Sequence, residues 1–439
     1  MNELCNMRCI ACNVMIEGFD YGEQVNDILV SPQHKSFPSA LWGRRAGDAL
    51  PVPLDRFQTP VLTLDRGALD SNLRVMADWL STESLLMAPH GKTTMAPALW
   101  NELLAGGAWG LTFATPWQVQ CARSSGIRRI MLANAVTDPA ALRWLAAELA
   151  ADAGFEFCSW VDSVATVDLM TSELDSVGRP LDVLVELGGA DGRTGARSVE
   201  EAVSVAEAVR RSPALRLVGV AGYEGALAHD RSNSGIARVD GWLDDLVELF
   251  RLLASQGFDG DGLPIVTAGG SAYFDRVAAR LRVLRGEASV IVRSGAFQIH
   301  DDGFYSGISP MGSLVGTEPF RSAMHAWVRV VSRPEPGLVL FDAGKRDLPF
   351  DEGLPVAQLV RGGDSTVLAG STVTALNDQH GFLRLAEPFA HADTLPVGSV
   401  LRLGLSHPCT ALDKWRLIPV VDDADSSSPA VIDAIETRF

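Results

Sequence analysis

The sequence has little positive charge and no long apolar run. Its 37 Lys and Arg residues are outnumbered by 54 Asp and Glu residues, which gives a net charge of -17 at pH 7. A nucleic-acid partner requires a basic face, so we expect no nucleic-acid partner. A membrane span needs roughly 18 to 20 consecutive apolar residues. No run of this chain approaches that length, so we expect no membrane partner.

Cysteine is also scarce. The six cysteines among 439 residues do not have the spacing of a small disulfide-bonded domain. The start of the chain lacks the charged segment followed by an apolar segment that is typical of a secretory signal. Both absences favour a reduced, cytoplasmic location.

Three of the cysteines, Cys5, Cys9 and Cys12, have a C-x3-C-x2-C spacing near the start of the chain. This spacing resembles the cluster motif of radical S-adenosylmethionine enzymes, where the motif follows the first barrel strand. Nothing before Cys5 can form a strand, and short motifs have a high false-positive rate. We therefore interpret residues 1–50 as an N-terminal extension, and a radical enzyme remains a distant alternative.

Strand and helix patterns alternate through residues 51–315. The predicted strands are residues 59–65, 84–87, 109–114, 129–133, 155–161, 181–187, 217–223, 264–267 and 289–293. The predicted helices include residues 66–80, 96–104, 116–124, 139–151, 199–211 and 239–256. This alternation predicts an α/β fold with a closed (β/α)8 TIM-like barrel. An open doubly wound sheet is the alternative. The absence of G-x-G-x-x-G after the first strand counts against a dinucleotide fold.

After about residue 315 the pattern changes to short β-type runs separated by Gly and Pro. These runs are residues 326–332, 338–342, 365–369, 373–376, 383–385 and 400–403. They predict a separate all-β domain over residues 316–439. Residues 422–428 are acidic and Ser-rich, which favours a loop or tail.

The central candidate residue is Lys92, which follows a predicted strand and precedes a predicted helix. In a (β/α)8 barrel this end of the strand faces the active site. Burial there favours the neutral amine. A neutral lysine can condense with an aldehyde cofactor, of which pyridoxal phosphate is the usual one. On position alone a solvated surface lysine is the alternative, and the partners of Lys92 downstream decide between the two.

Two further strands end in candidate residues. Residues 186–195 run from a strand into a Gly-rich loop with one arginine, Arg193, which stays protonated and could face the nitrogen of a pyridine ring. Tyr223, one of only four tyrosines, ends the next strand and could hydrogen-bond to the same ring. The alternatives are an Arg193–Asp191 pair and a tyrosine hydroxyl at the rim. His229 is a weaker candidate for proton transfer.

The last two barrel strands are followed by Gly- and Ser-containing turns. These turns contain Gly269, Gly270 and Ser271 after one strand, and Ser294 and Gly295 after the next. Glycine turns after late barrel strands expose backbone N–H groups that can bind a phosphate. A Gly-Gly-Ser turn alone is weak evidence, and its position in the barrel strengthens the interpretation.

The predicted β domain contains a His-x-Cys pair, His407 and Cys409. Imidazole and thiolate are zinc ligands, and two protein ligands leave coordination positions open, as in catalytic sites. A buried cysteine beside a loop histidine is the alternative for an isolated pair.

Taken in order, these motifs resemble the fold-type III pyridoxal phosphate enzymes, and within them the D-threonine aldolase and D-serine dehydratase family. The resemblance runs from about Pro60 to about Lys414. It depends on the Thr59–Pro60 step and on residues 89–93, 186–195, 223–225, 269–271, 293–295 and 407–409.

The resemblance implies an alanine-racemase-like barrel with a β domain, usually as a homodimer. It implies that Lys92 holds pyridoxal 5'-phosphate, with His90 in the same segment, and that Arg193 and Tyr223 lie by the ring. It further implies that the cofactor phosphate is bound by Gly269, Gly270, Ser271, Ser294 and Gly295.

Within this family the metal pair separates two activities. D-threonine aldolases have an aspartate two residues after the histidine, whereas eukaryotic-type D-serine dehydratases have a cysteine there and use zinc. Cys409 therefore resembles the dehydratases. This chain departs from the family at Ala88, where arginine is common, at Thr94, where histidine is common, and at Phe297, where a tyrosine is expected.

We therefore expect a PLP- and metal-dependent dehydratase that converts a D-serine-like 3-hydroxy amino acid to a 2-keto acid and ammonia. One alternative is metal-dependent aldol cleavage of D-threonine to glycine and acetaldehyde. Others are an amino-acid racemase, which needs no metal, and a non-catalytic PLP-binding protein, which is usually a single barrel. The sequence leaves open whether the β domain caps its own barrel or that of a partner.

Overall fold

A computed structural model describes residues 28–174, 178–260, 262–387 and 395–439. Cys5, Cys9 and Cys12 lie outside the described residues. Within them there are eighteen β-strands and eleven α-helices.

The strands β1 to β18 are, in chain order, Val52–Pro53, Val61–Asp65, Leu86–Met87, Leu111–Phe113, Arg129–Leu132, Glu156–Val161, Leu181–Leu187, Leu215–Gly222, Ile265–Ala268, Ser289–Val292, Met324–Glu335, Leu338–Phe341, Val356–Val360, Thr372–Leu376, Gly381–Arg384, Val400–Gly404, Leu417–Val421 and Ala430–Glu436.

The helices α1 to α11 are Ala46–Ala49, Arg66–Glu83, Pro97–Ala105, Pro116–Ser124, Pro139–Ala151, Val164–Glu173, Val199–Arg211, Asn233–Ala254, Phe274–Leu281, Phe304–Ile308 and Pro408–Leu412. Short 3-10 helices are Ser39–Leu41, Leu54–Arg56, Gly91–Thr93, Glu224–Ala226, Arg282–Leu284 and Ser365–Leu368. None of the helices in the described ranges combines the length and apolar character that a membrane crossing requires.

Eight parallel strands, β3 to β10, form the predicted barrel. Their order is β3-β10-β9-β8-β7-β6-β5-β4. The N–H of Trp109 donates to the carbonyl of Met87 at 2.7 Å, and that of Thr112 donates to the carbonyl of Pro89 at 2.9 Å. These bonds join β4 to β3, so the barrel closes and the (β/α)8 prediction is confirmed.

Local sequence sets where the barrel helices begin. Thr115, Asp138 and Ser198 each accept a hydrogen bond from the backbone N–H three residues later, which caps α4, α5 and α7. Proline occupies the first turn of α3, α4 and α5, where its missing N–H costs nothing. The strands therefore pass into helices through short turns, and these turns carry the candidate residues.

Two apolar clusters make up the barrel core. The larger cluster joins the strands to the helices, from Val75 to Phe320. A separate small cluster contains Ala88, Met131, Trp160 and Ile291, consistent with side chains that fill the barrel interior. The barrel is thus a packed core, and chemistry is confined to its mouth.

One prediction about the barrel is wrong, because a strand assigned to it belongs to the second sheet. Val61–Asp65, which the sequence analysis counted as the first barrel strand, pairs antiparallel with β11 and parallel with β17. All five of its residues are buried. A strand buried on both faces reads the same in either sheet, so the pattern could not assign it. The barrel begins instead at Leu86–Met87.

The remaining strands of the second sheet come from the C-terminal part of the chain and from Val52–Pro53. The predicted strand over residues 365–369 is wrong, because Ser365–Leu368 is a 3-10 helix capped by Asp364. Strands Val356–Val360, Leu417–Val421 and Ala430–Glu436 were not predicted. Residues 422–428 form the loop between the last two strands, as expected.

The described part of the predicted N-terminal extension is not detached. Val30, Phe37 and Leu41 are buried against Trp327 and Leu417 of the second sheet. Residues 28–50 thus cover one face of that sheet.

Candidate active site

The candidate cofactor residues converge at one end of the barrel. His90 and Lys92 follow β3, Arg193 follows β7, Tyr223 follows β8, Gly269 to Ser271 follow β9, and Ser294 and Gly295 follow β10. All of these turns lie at the carboxyl ends of parallel strands. Their side chains therefore face the barrel mouth, where active sites of this fold occur.

Lys92 lies in the 3-10 helix Gly91–Thr93, which packs closely against Trp100 and Phe113. The indole N–H of Trp100 donates to the Gly91 carbonyl at 2.9 Å. A Cβ added at Gly91 would lie 2.7 Å from the Phe113 ring. Burial lowers the pKa of Lys92, and nearby Arg193 adds to this effect, while the Cys409 sulfur opposes it. The surroundings of Lys92 thus favour a neutral amine.

His90 is adjacent to this amine. Burial holds the pKa of His90 well below its ordinary value, and the charges of Lys92 and Arg293 lower it further. Its Nδ1 atom is buried and has no hydrogen-bond partner among the described residues. His90 therefore offers an unused polar atom of a neutral imidazole to a bound group.

Arg193 and Tyr223 lie next to each other at the barrel mouth. The Arg193 guanidinium is 5.0 Å from the centroid of the Tyr223 ring. Burial and the adjacent Glu224 carboxylate raise the pKa of Tyr223, so its phenol stays protonated. Gly270 packs so closely on this ring that an added Cβ would lie 2.7 Å from it. His229, by contrast, is exposed.

The turn after β9 differs in one respect from the sequence-based expectation. The N–H groups of Gly269 and Gly270 donate to the buried Glu224 carboxylate at 2.9 and 2.5 Å. These two groups are therefore not free to bind a phosphate in this conformation. Glu224 was noted only as part of a motif, and no local pattern indicates this role, because its partners lie on another strand end.

The N–H groups that remain available belong to the next residues. In the described ranges, the backbone N–H groups of Ser271, Ser294 and Gly295 have no acceptor. The Ser294 hydroxyl donates to the Gly270 carbonyl at 3.0 Å and joins the two turns. At Gly295 an added Cβ would lie 2.6 Å from His90 Cβ. The two turns thus place three unpaired N–H donors close to His90.

Arg293 is a site residue that the sequence analysis did not single out. It is 3% exposed. It donates to the Thr267 hydroxyl and to the Gly222 carbonyl, both at 2.6 Å. Its Nε atom has no partner among the described residues. A charged residue that directly follows an apolar strand was the available signal. Arg293 ties three strand ends together beneath the mouth.

Together these residues fit pyridoxal phosphate. The two turns supply unpaired donors for an anion, Lys92 supplies an amine for an aldehyde, and Arg193 with Tyr223 supplies a cation and a phenol for a ring. The unpartnered atoms of His90 and Arg293 lie in the same region. The donor set therefore matches the three parts of this cofactor.

His407 and Cys409 reach the same barrel mouth within one chain. The Cys409 sulfur contacts the Thr93 hydroxyl at 3.5 Å. Thr93 follows Lys92 directly, and both segments belong to this chain. The second domain therefore places its His-x-Cys pair over its own barrel, which answers the question that the sequence left open.

The pair is electrostatically coupled. Burial alone would lower the pKa of His407, but Cys409 and Asp351 outweigh it and raise the pKa to about 9. Burial alone would raise the pKa of Cys409, but hydrogen bonds from His407 and Thr93 lower it. A thiolate beside an imidazole is a donor set that suits zinc. The residues thus fit a metal with two protein ligands.

No third ligand completes this pair in the part of the chain that the structure describes. There, no group of three or more His, Cys, Asp and Glu side chains is arranged to hold a metal ion. A metal on His407 and Cys409 would keep positions open for water or substrate.

Tyr305 and Asp301 were also missed. Burial, together with Cys409 and Tyr223, raises the pKa of Tyr305, so its hydroxyl stays protonated beside the metal pair. Asp301 is 1% exposed. Its carboxylate accepts the backbone N–H of His407 at 3.0 Å and fixes the His407 loop to the segment after β10.

Comparisons with known proteins agree with this site. The family model described as "Alanine racemase, N-terminal domain" matches residues 64–273. The model described as "Putative serine dehydratase domain" matches residues 323–421. The first match covers the barrel residues from His90 to Ser271, and the second covers the His-x-Cys pair.

Similar proteins include both aldolases and dehydratases. A D-threonine aldolase of Arthrobacter sp. is 30% identical over 358 residues, which are 81% of this chain and 86% of that protein.

Solved structures share the fold. The D-threonine aldolase of Filomicrobium marinum has a TM-score of 0.73 and 24% identity, and the match covers 88% of this chain and 97% of that one. The D-threo-3-hydroxyaspartate dehydratase of Delftia sp. HT23 has a TM-score of 0.68 and 21% identity, with 87% and 98% covered. With the 30% identity to the Arthrobacter protein, these matches show that the chain belongs to the D-threonine aldolase and D-serine dehydratase family of fold-type III pyridoxal phosphate enzymes.

Proposed function

We propose that this chain is a PLP- and divalent-metal-dependent lyase that removes the β-hydroxyl of a D-serine-like 3-hydroxy amino acid. The products are a 2-keto acid and ammonia. The observation that carries the proposal is the contact of Cys409 with Thr93, the neighbour of Lys92. It brings an amine and a His-Cys metal pair to one barrel mouth.

The bound groups would supply two kinds of chemistry: pyridoxal phosphate withdraws electrons from Cα, and the metal acts as a Lewis acid on the β-oxygen. His90, Arg193 and Tyr223 would hold the cofactor ring, and the N–H groups of Ser271, Ser294 and Gly295 would hold its phosphate. His407 and Cys409 would hold the metal, and we propose zinc because both ligands suit it.

Lys92 would move the proton at Cα. Burial already lowers the pKa of its amine, which therefore accepts a proton near neutral pH more readily than a solvated lysine. Arg193 keeps its positive charge. Facing the pyridine nitrogen, it would keep that nitrogen unprotonated and so favour elimination assisted by the metal.

Cys409 separates dehydration from aldol cleavage in this proposal. The family resemblance associates a cysteine at this position with D-serine dehydratases and an aspartate with D-threonine aldolases. Thiolate and carboxylate differ in metal preference, because thiolate selects softer metals. The residue at position 409 thus supports a dehydratase.

The second candidate is metal-dependent aldol cleavage. It is favoured by the 30% identity to a protein named D-threonine aldolase. The same amine and metal pair would serve that reaction, with glycine and an aldehyde as products. The two functions differ in the bond that breaks at Cβ.

The test is to give the purified protein D-serine, D-threonine and D-threo-3-hydroxyaspartate, with and without a chelator. Keto acid and aldehyde are measured separately. The proposal predicts keto acid from D-serine that is lost on chelation and restored by zinc. Aldehyde as the main product would support the aldolase, and keto acid release that survives chelation would remove the metal from the proposal.

A further inference from the structure

We infer that Asp351 is a positioning residue that orients the His407 imidazole for metal binding. This inference rests on the proposed function, because it assumes a metal on His407 and Cys409. Asp351 follows β12 in the second domain, and its carboxylate lies 2.5 Å from His407 Nδ1.

The Asp351 carboxylate is itself fixed on its other side. The Thr410 hydroxyl donates to Asp351 Oδ1 at 2.7 Å, while Oδ2 faces the imidazole. Thr410 lies in α11, one residue after Cys409. The acceptor is therefore anchored to the same short helix that carries Cys409 and directly follows His407.

This geometry determines which histidine nitrogen can bind a metal. A carboxylate only accepts hydrogen bonds, so it holds a proton on Nδ1, and Nε2 is the nitrogen that can give up its proton and bind a metal. Metal-binding histidines generally donate their other ring N–H in this way, and loss of the partner weakens metal binding about 10- to 100-fold. Asp351 thus fixes both the tautomer and the ring direction.

The backbone of His407 is held in place, so rotation of the imidazole ring is the motion that remains to be restricted. Its backbone has φ 50°, in the left-handed region, and its N–H is held by Asp301. Pro408 follows and begins α11. With the backbone fixed, the Asp351 contact selects one orientation of the ring.

Asp351 contacts His407 Nδ1 and not the ring nitrogen left for the metal, so we assign it a positioning role and no ligand role. Within the described ranges, no three metal-ligating side chains converge, although Asp351, His407 and Cys409 are neighbours. The Asp351 side chain is 39% exposed and that of His407 is 22% exposed. An ion pair this accessible contributes little to stability, so its removal should leave the fold intact.

The experiment measures zinc affinity of the metal-stripped full chain by competition with a chromophoric chelator. The variants are Asp351→Ala, Asp351→Asn and Thr410→Val, with His407→Ala to mark loss of the site. Asp378→Asn is the matched control, because Asp378 pairs with Arg346 at 3.2 Å on the exposed surface of the same domain. Thermal unfolding of each metal-free variant checks the fold.

We expect Asp351→Ala to weaken zinc binding about 10- to 100-fold. Asp351→Asn, which keeps an acceptor oxygen, and Thr410→Val should lose less, and Asp378→Asn should match the unchanged protein. At saturating cobalt, Asp351→Ala should keep the thiolate charge-transfer band and ligand-field spectrum, because both ligands remain.

Unchanged zinc affinity in Asp351→Ala, with binding lost in His407→Ala, would overturn the positioning role. A changed cobalt spectrum at saturation would also overturn it, because it would make Asp351 a ligand. If His407→Ala itself binds zinc normally, the metal site of the proposed function fails instead. The two failures are therefore distinguishable.

Discussion

At the scale of single residues, Lys92 is the proposed catalytic residue, because burial lowers the pKa of its amine. We expect Lys92→Ala to abolish covalent attachment of pyridoxal phosphate and to lower turnover at least about 1000-fold, since the residue is proposed as both anchor and base. Covalent attachment is measured by borohydride reduction followed by mass spectrometry of the peptides. Lys345→Ala, which removes an exposed lysine, is the control. Normal labelling of Lys92→Ala would contradict the assignment.

The lowered pKa of buried His300 leads us to expect that the stability of the metal-free, cofactor-free protein depends on pH. Burial lowers the pKa of His300 from 6.5 to about 4. Between these values the unfolded chain binds the proton and the folded chain does not. The contribution of His300 to the free energy of unfolding is therefore largest above pH 6.5. It falls by roughly 3 kcal/mol as the pH drops towards 4.

The variant His300→Asn isolates this effect, because asparagine tolerates the φ of 50° at this position. Urea unfolding at several pH values should show a shallower loss of stability below pH 6.5 than in the unchanged protein. Buried His325, whose pKa is lowered to about 3, should still make the variant less stable as the pH falls. Equal slopes in both proteins would exclude His300 as a contributor.

The sequence indicated candidate site residues more readily than the hydrogen-bond partners that hold them. Lys92, Arg193 and Tyr223 could be found because each follows an apolar strand, which is a local signal. Glu224 and Asp351 could not be found this way. Their partners lie 45 and 56 residues away in the chain, and only the fold brings them together.

At the scale of elements, the turn that holds Lys92 depends on Gly91. An added Cβ at Gly91 would meet the Phe113 ring at 2.7 Å and the Trp100 indole nitrogen at 2.9 Å. We expect Gly91→Ala to cost about 1 to 3 kcal/mol of unfolding free energy through overpacking, and to lower cofactor occupancy. Chemical denaturation and cofactor absorbance measure the two effects.

The matched control for this variant is Gly241→Ala. Gly241 lies within α8, and an added Cβ there meets no atom within 4 Å. That change should be neutral or stabilise the protein slightly, since alanine is the better helix former. If both variants behave alike, the close packing at Gly91 does not constrain the turn.

The prediction of elements failed where the hydrophobic pattern indicates a strand but does not show which strands it pairs with. Helices Pro116–Ser124, Pro139–Ala151 and Val199–Arg211 were predicted to the residue, because proline or serine marks where each begins. Val61–Asp65 was recognised as a strand but placed in the wrong sheet. An all-buried strand carries no information about which neighbours it pairs with.

At the scale of the whole molecule, the proposed site combines residues of the barrel and of the second sheet, which meet where Cys409 contacts Thr93. In the proposal, the barrel supplies the amine and the N–H donors for the cofactor phosphate, and the second domain supplies the His-x-Cys pair. Their junction is fixed by Asp301, which joins the segment after β10 to His407. The sequence predicted both halves of the site, but it could not show that one chain completes its own site, because this depends on how the domains pack.

Complementation between two inactive variants tests this claim most directly. The family resemblance implies a homodimer, so Lys92→Ala and Cys409→Ala chains are co-expressed, and keto acid release from D-serine is compared with that of each variant alone. Because each chain places Cys409 beside its own Lys92 turn, the mixed protein should be as inactive as the two parents. Recovery of activity in mixed dimers would show that the site is shared between subunits and would contradict the account.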